Sequence, residues 1–262
     1  PIKSSAASDV YKRQEFTLNK TQIFKGSSNL TPYKFNISDC FQFFTGKNKS
    51  RQDNCTLKVN GFAYYSCENP KAKTDCYRYY LELDIEKAEQ DKTLVVLMLN
   101  PSNTFPEANG KKSTLDGTVK NAVRIAYKAG YSKVIILNSF NFIDGNSITA
   151  MKSAKEALND VNTKIITNVL NQHKDLMIAW GTKVRKKDKT EILSKILDKA
   201  TEINIFAYAW NSNSNCPYHP ATRVDNIKNN YPLTKFLTGA GQLTELAIRK
   251  CKREIELEVK NK

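Results

Sequence analysis

Four largely apolar runs dominate the hydrophobic pattern of the chain. They are Leu94–Leu99, Val134–Leu137, Leu176–Ala179 and Ile203–Tyr208. Apolar runs of this length that do not alternate with polar residues are typical of strands buried on both faces, as in a parallel sheet. The pattern therefore predicts four strands that belong to one sheet and run in the same direction.

Segments with a helical spacing of apolar residues lie between these runs. Strands that alternate with helices form βαβ units with right-handed crossovers, which cover both faces of a sheet. We therefore predict an α/β fold, with a three-layer α/β/α domain over about residues 75–239 and a mostly parallel central sheet. The three predicted helices carry their apolar residues at Val119, Ala122, Val123, Ala126 and Tyr127; at Ala154, Ala157, Leu158, Val161, Ile165, Ile166, Val169 and Leu170; and at Ile192, Leu193, Ile196 and Leu197.

The segments on either side of this domain have different patterns. Residues 15–74 are polar and aromatic-rich with turn residues between short runs, which favours a small β-rich N-terminal extension. Cys76–Leu83 alternates as a strand that leads into the core, and residues 240–262 predict a basic C-terminal helix. Residues 1–14 resemble translated sequencing-adapter read-through, so we expect them to be an artefact outside the fold.

Polar residues follow the predicted strands at the points where the strands end. Asn100 and Asn138 follow the first two, the Trp180-Gly181 pair follows the third, and His219 comes a short loop after the fourth. In open parallel sheets, ligands bind outside the carboxyl ends of the strands. The sequence therefore predicts a functional site at this rim.

Composition narrows the class of protein. The 262 residues contain no apolar stretch long enough for a membrane span, and no signal-peptide core lies near the beginning. The six cysteines form no C-x-x-C pair, so we expect reduced thiols and no metal site. Phosphate-binding loops, dinucleotide-binding glycine motifs and nucleophile elbows are absent. We expect a cytoplasmic monomer that needs no metal or cofactor and binds no membrane.

The net charge of +15 at pH 7 leaves two interpretations open. A basic domain is the electrostatic signature of a nucleic-acid partner. An AT-rich genome would also enrich lysine and asparagine, and then the charge would be a solvated surface. The densest cationic segment follows Gly181 directly at the predicted rim and contains Lys183, Arg185, Lys186, Lys187 and Lys189.

Seven short motifs together resemble the bacterial and phage family called domain of unknown function 1643. The resemblance covers about residues 76–237 and implies a fold more than an activity, because the family's name leaves the activity open. The motifs are Tyr77-Arg78-Tyr79-x-Leu81, Met98-Leu99-Asn100-Pro101-Ser102, Asp116-x-Thr118, Gly130-Tyr131, Asn138-x-Phe140, Ala179-Trp180-Gly181 and His219-Pro220.

Four of these motifs are also similar, in order, to those of the uracil-DNA glycosylase superfamily, which has a parallel α/β/α sheet. They are Leu99-Asn100-Pro101-Ser102, Leu137-Asn138, Trp180-Gly181 and His219-Pro220. The resemblance implies a nucleobase-handling enzyme, an N-glycosylase-type hydrolase that acts on DNA or on a nucleotide. Asn100 would position the attacking water, Asn138 would read the base, and His219 would stabilise charge on the departing base.

The same resemblance implies the binding residues, and we expect the motif residues Pro101, Ser102, Trp180 and Gly181 to bind substrate. An aromatic ring would stack on the base, supplied by Phe105 or Phe140. Phosphates would be held by Lys183, Arg185, Lys186 and Lys187.

The chain departs from the superfamily pattern in two places, and these departures keep alternatives open. Asn100 stands where the most active branch has a general-base aspartate, and Arg223 is the candidate for the intercalating leucine that is missing after His219-Pro220. Asp116 is either a second candidate base or the N-cap of the following helix. Asn100 could instead belong to a turn that ends its strand, and Asn138 could cap the loop that follows it. The alternative function is a non-catalytic module that binds nucleic acid or a nucleotide.

Overall fold

The computed structural model describes residues 23–24, 30–44, 52–67, 70, 76–86, 90–101, 103–105, 114–153, 160–184, 203–207, 210–211, 216–221 and 234–237. The helices are α1 (Gly117–Lys128), α2 (Ser147–Ser153) and α3 (Asp160–Gln172). The strands are β1 (Thr31–Phe44), β2 (Gln52–Tyr65), β3 (Arg78–Ile85), β4 (Thr93–Met98), β5 (Lys133–Asn138), β6 (Asp175–Ile178), β7 (Asn204–Ala207), β8 (Trp210–Asn211), β9 (Cys216–Pro217) and β10 (Thr234–Leu237).

The described strands form one large mixed sheet in the order β1-β2-β3-β5-β4-β6-β7-β10, with β8 and β9 paired separately. The pairs β5–β4, β4–β6 and β6–β7 are parallel, which confirms the four predicted parallel strands. The other four pairings are antiparallel, because β1, β2 and β3 add to one edge and β10 to the other. The fold is therefore α/β, but the sheet as a whole is not mostly parallel.

The continuous apolar pattern of β4 arises because both of its faces are covered. Leu94, Val96 and Met98 belong to one core cluster, together with the buried residues of α1. Val95 and Leu97 belong to a second cluster, together with the buried residues of α3. Alternate side chains of a strand point to opposite faces, so α1 and α3 lie on opposite sides of the sheet.

Several predicted segments fall partly or wholly outside the described residues. The second predicted helix corresponds to α2 and α3, with residues 154–159 between them outside the description. The third predicted helix, residues 1–14 and the predicted C-terminal helix also lie outside it. Within the predicted N-terminal extension, β1 and β2 form a hairpin that continues the central sheet through β3. The proposed domain boundaries stay predictions.

Cys67 and Cys76 form a disulfide, which differs from our expectation of reduced thiols. Cys67 lies just after β2 and Cys76 just before β3, and the antiparallel pairing of these strands brings their Cα atoms within 5.4 Å. This separation lies in the normal range for a disulfide. The sequence spacing did not reveal the pairing, because it depends on the strand register. None of the described helices combines the length and apolar content that a membrane crossing requires.

The order of the parallel strands fixes where a ligand site is expected. From β4 the chain passes through α1 to β5, which lies beside β4 in the sheet. From β5 it passes through α2 and α3 to β6, which lies on the opposite side of β4. The carboxyl ends of β4 and β6 therefore flank the point at which the strand order reverses. Open α/β sheets bind ligands in the crevice at such a point.

Candidate functional site

A cavity of about 370 Å³ lies at this reversal of strand order. Its wall is formed by residues 99–100 after β4, residues 180–183 after β6, residues 145 and 147, residues 219 and 221, and Thr118 in α1. The volume lies in the range of small-molecule sites. The topology and the cavity thus identify the same place.

The cavity brings together part of the predicted site. Its wall includes Asn100, Trp180, Gly181, Lys183 and His219. The wall does not include Pro101, Phe105, Asp116, Asn138 or Phe140. Phe105 and Phe140 are buried in the α1-side and α3-side cores, respectively. The predicted residues Ser102, Arg185, Lys186, Lys187 and Arg223 lie outside the described residues.

Asn100 has an orientation that its hydrogen bonds determine. Its Nδ2 donates to the carbonyl oxygen of Asp144 at 2.8 Å and to that of Pro101 at 3.2 Å. Carbonyl oxygens only accept, so these two contacts assign the amide nitrogen and leave Oδ1 as an acceptor for which the described residues supply no donor. Asn100 thereby ties the loop after β4 to the loop after β5 and offers an acceptor at the cavity wall.

His219 is held as a neutral ring. The backbone N–H of Ala221 donates to Nδ1 at 3.3 Å, so the neutral imidazole carries its proton on Nε2. Burial lowers the pKa of His219 to about 4; the negative charge of Asp116 raises it, and Lys183 lowers it. At neutral pH the ring therefore offers one N–H donor and carries no charge.

We expect His219 to stay neutral down to about pH 5 and to gain a proton near pH 4. The unfolded chain protonates near the ordinary histidine value of about 6.5, so the unfolded state binds the proton first. The contribution of His219 to stability is then complete above about pH 6.5 and is lost as the pH falls towards 4. NMR titration of the histidine ring protons measures this directly, since the chain contains only two histidines. A His219→Ala variant assigns the signals, and a midpoint near 6.5 would contradict the expectation.

The Trp180-Gly181 pair positions His219. Gly181 has a φ of +79°, and a Cβ atom added to it would lie 2.9 Å from the Cβ of His219. Both the positive φ and the close approach require glycine at this position. Trp180 beside it is 1% exposed, and its Nε1 has no hydrogen-bond partner among the described residues. The turn thus lets His219 pack against the backbone of Gly181, and the buried Nε1 donor of Trp180 stays without a partner among the described residues.

Helix α1 supports the site through residues that the sequence analysis did not single out. Asn121 donates from Nδ2 to the carbonyl oxygen of Pro220 at 2.7 Å, and Arg124 donates to Oδ1 of Asn121 at 2.7 Å. These contacts hold the loop that carries His219. The sequence signal that could have identified these residues is the spacing of the polar pair Asn121 and Arg124, three residues apart on an amphipathic helix.

Asp116 is the N-cap of α1, which confirms one of the two interpretations of this residue. Its Oδ1 accepts from the backbone N–H groups of Thr118 and Val119, and its Oδ2 accepts from the hydroxyl of Thr104. An N-cap of this kind stabilises a helix by about 1 kcal/mol. The role of general base stays a prediction.

The described residues hold no group of three or more His, Cys, Asp or Glu side chains arranged for a metal ion. No curated protein and no solved structure matches the chain. A sequence model of one family matches residues 78–221, which span the cavity wall and β3 to β9. This match covers more than half of the chain, and the chain belongs to the family described as "Protein of unknown function (DUF1643)".

Proposed function

We propose that the protein is a nucleobase-handling enzyme that hydrolyses an N-glycosidic bond in DNA or in a nucleotide. The proposal includes a three-layer α/β/α arrangement like that of the uracil-DNA glycosylase superfamily around the cavity. One observation carries it: a free amide acceptor on Asn100 and a neutral N–H donor on His219 are in the wall of the same cavity.

These two groups suit the two halves of the reaction. Asn100 Oδ1 accepts a hydrogen bond from a water molecule and orients it towards the sugar carbon, where the C–O bond forms as the C–N bond breaks. The base leaves as an anion and takes up the proton that the water loses. His219 Nε2–H donates to a carbonyl oxygen of the leaving base, where negative charge develops as the bond breaks. A neutral donor suits this role because it keeps its proton across the physiological pH range. The described part of the cavity wall contains no carboxylate, so we expect weak activation of the water and slow turnover.

The test is a base-release assay with the purified full chain. The substrates are uracil-containing and otherwise modified single- and double-stranded DNA, and the matching free nucleosides and nucleotides, with liberated base measured by chromatography. Release of a free base from any of them supports the proposal. Tight binding without release of any base would contradict it.

That second outcome corresponds to the other candidate function, a non-catalytic module that binds nucleic acid or a nucleotide. The observation that favours it is the absence of a carboxylate from the described cavity wall, since glycosidic hydrolysis usually relies on one. The base-release assay separates the two functions.

We expect binding to single-stranded DNA to weaken steeply with salt through the segment Lys183–Lys189. Replacing Lys183, Arg185, Lys186 and Lys187 with glutamine should flatten the slope of log affinity against log salt by about one unit per lost phosphate contact. Fluorescence anisotropy at several salt concentrations measures this slope.

The control variant replaces the exposed residues Lys92 and Lys174 with glutamine. These residues directly precede β4 and β6, so they lie at the amino ends of the parallel strands, opposite the cavity. It should keep the slope of the unmodified protein. A change in the control of about half that in the test variant, in proportion to the two and four charges removed, would assign the effect to net charge and contradict a binding segment at the rim.

A further inference from the structure

Three buried polar side chains near the cavity lack hydrogen-bond partners. Nε and Nη1 of Arg78, and both amide atoms of Asn138 and of Asn141, are unpartnered among the described residues. The three residues are 2%, 0% and 2% exposed, respectively. More than nine in ten buried polar groups in proteins are hydrogen-bonded, so a group of unpartnered side chains needs a physical explanation.

Strand pairing places these side chains on one face of the sheet. The backbone N–H of Arg78 donates to the carbonyl oxygen of Asn141 at 2.9 Å, which makes the two residues cross-strand neighbours. An irregularity in the β2–β3 pairing makes Arg78 the register partner of Tyr65, which packs in the α1-side core. Asn138 is the register partner of Met98, which packs in the same core. All three therefore face the α1 side at the carboxyl end of β5.

The energetic cost of this arrangement indicates what is missing. An arginine stays charged, and a buried charge without a partner strongly destabilises the folded state. Each buried unpaired amide group adds to this cost. Water could satisfy the amides but brings no negative charge, and no carboxylate of the described residues forms an ion pair with Arg78. The guanidinium only donates, so the missing group must accept hydrogen bonds and carry negative charge.

We propose that Arg78, Asn138 and Asn141 form a subsite for the phosphate monoester of a nucleotide. The inference rests on the proposed function, whose substrate it narrows to a nucleotide with a terminal phosphate. A planar guanidinium binds phosphate oxygens in pairs, and the two amide NH₂ groups add further donors. The subsite gives Asn138 an anion-binding role in place of the base-reading role implied by the resemblance.

The distance between the subsite and the cavity suits such a ligand. Leu99 and Asn100 line the cavity and directly follow Met98, the register partner of Asn138. Strands β4, β5 and β3 are successive neighbours, so Arg78 lies two strand spacings, about 10 Å, from the end of β4. A nucleotide with its sugar at Asn100 reaches Arg78 with its phosphate only when the intervening side chains move apart, because none of the three subsite residues lines the cavity. The burial of the three side chains favours a terminal phosphate, because a phosphodiester within a polymer is bonded to a nucleoside on both sides and could not be enclosed in the same way.

The experiment measures anion binding in the absence of turnover. The full chain is titrated with inorganic phosphate, uridine and uridine 5′-monophosphate by calorimetry, and the unfolding midpoint is recorded with each. We expect phosphate and the monophosphate to bind and to raise the midpoint, with the monophosphate binding more tightly than either phosphate or uridine. Binding of phosphate alone, with no gain for the monophosphate, would overturn the nucleotide assignment.

The variant Arg78→Met should weaken phosphate binding by about 10- to 100-fold, the effect of losing charge-assisted hydrogen bonds. Its unfolding midpoint without ligand should be unchanged or higher, because the variant removes an unpaired buried charge. A lower midpoint would show that Arg78 has a structural partner and would overturn the proposal. The variant Asn141→Asp supplies a carboxylate beside Arg78, and it should raise the midpoint and abolish phosphate binding.

A Lys183→Met variant separates this subsite from the cavity. We expect it to weaken phosphate binding less than Arg78→Met does; a larger loss in Lys183→Met than in Arg78→Met would place the anion in the cavity and overturn the proposal. No effect of phosphate on the unmodified protein would overturn it as well. Phosphate binding through Arg78 without base release in any assay would contradict the proposed function and leave the anion subsite supported.

Discussion

The variants His219→Ala and Asn100→Ala are each expected to lower the rate of base release by on the order of 100-fold while leaving substrate binding nearly unchanged. His219→Ala removes the N–H donor that faces charge on the leaving base, and that charge exists only in the transition state. Asn100→Ala removes the acceptor that orients the water. The measurement is the single-turnover rate of base release, with affinity determined separately on the same substrate.

The matched control for His219→Ala is His173→Ala, which removes the chain's other histidine. His173 lies just after α3, outside the cavity wall, and burial lowers its pKa as burial lowers that of His219. We expect His173→Ala to keep full activity. Weak activity that both cavity variants retain would identify a contaminating enzyme and contradict the roles of Asn100 and His219.

Asn100→Ala needs a second readout because Asn100 also has a structural role. Its Nδ2 bonds to the carbonyl oxygens of Pro101 and Asp144 join two loops, and the alanine variant leaves both oxygens without this donor. A hydrogen bond of this kind contributes about 0.5–1.5 kcal/mol to stability. Thermal unfolding of the variant therefore accompanies the kinetics, and a rate loss with an unchanged midpoint assigns the effect to catalysis.

The location of the cavity that forms the candidate site could be predicted from the sequence because it depends on strand direction. The apolar runs at Leu94–Leu99 and Leu176–Ala179 indicated strands buried on both faces, and parallel strands place their carboxyl ends at one rim. Asn100 and Trp180 reach the cavity for this reason, whereas His219 follows β9 of the separate β8–β9 pair, and α1 holds its loop. Strands β1, β2, β3 and β10, which extend the two edges of the sheet, were harder to predict, because polar and apolar residues alternate only imperfectly along these strands.

Asn138 shows why equivalent positions in the sequence need not be equivalent in space. Asn100 lies two residues beyond the end of β4, whereas Asn138 is the last residue of β5 and is still within the sheet. A difference of one or two residues decides whether a side chain lies in the loop or on a buried face. The sequence pattern does not locate strand ends that finely.

Arg78 illustrates a second limit on prediction from the sequence. Regular alternation along Cys76–Leu83 would place Arg78 on the face of Tyr80, which packs in the α3-side core. The irregular pairing between β2 and β3 instead makes it the partner of Tyr65. An extra residue in one strand redirects the side chains before it, and such bulges are common beside functional sites. No feature of the alternation pattern marks the bulge.

The variant Gly181→Ala is expected to abolish most base release, because it displaces His219 without touching any reacting group. A positive φ costs an alanine about 1–2 kcal/mol, and the added Cβ would lie 2.9 Å from the Cβ of His219. Neither atom belongs to a flexible side-chain end, so the loop that carries His219 must move. A misplacement of about 1 Å can cost on the order of 100-fold in rate.

Gly130→Ala is the matched control for this variant. Gly130 has a similar φ of +82°, but a Cβ added there meets nothing within 4 Å. Both variants therefore carry the same backbone strain, and only Gly181→Ala carries the contact with His219. We expect a comparable fall in the unfolding midpoint from the strain, a loss of activity only in Gly181→Ala, and a shift of the His219 ring signals only in that variant. Equal activity in the two variants would show that the His219 position does not matter for base release, and would remove the main support for its role as the donor to the leaving base.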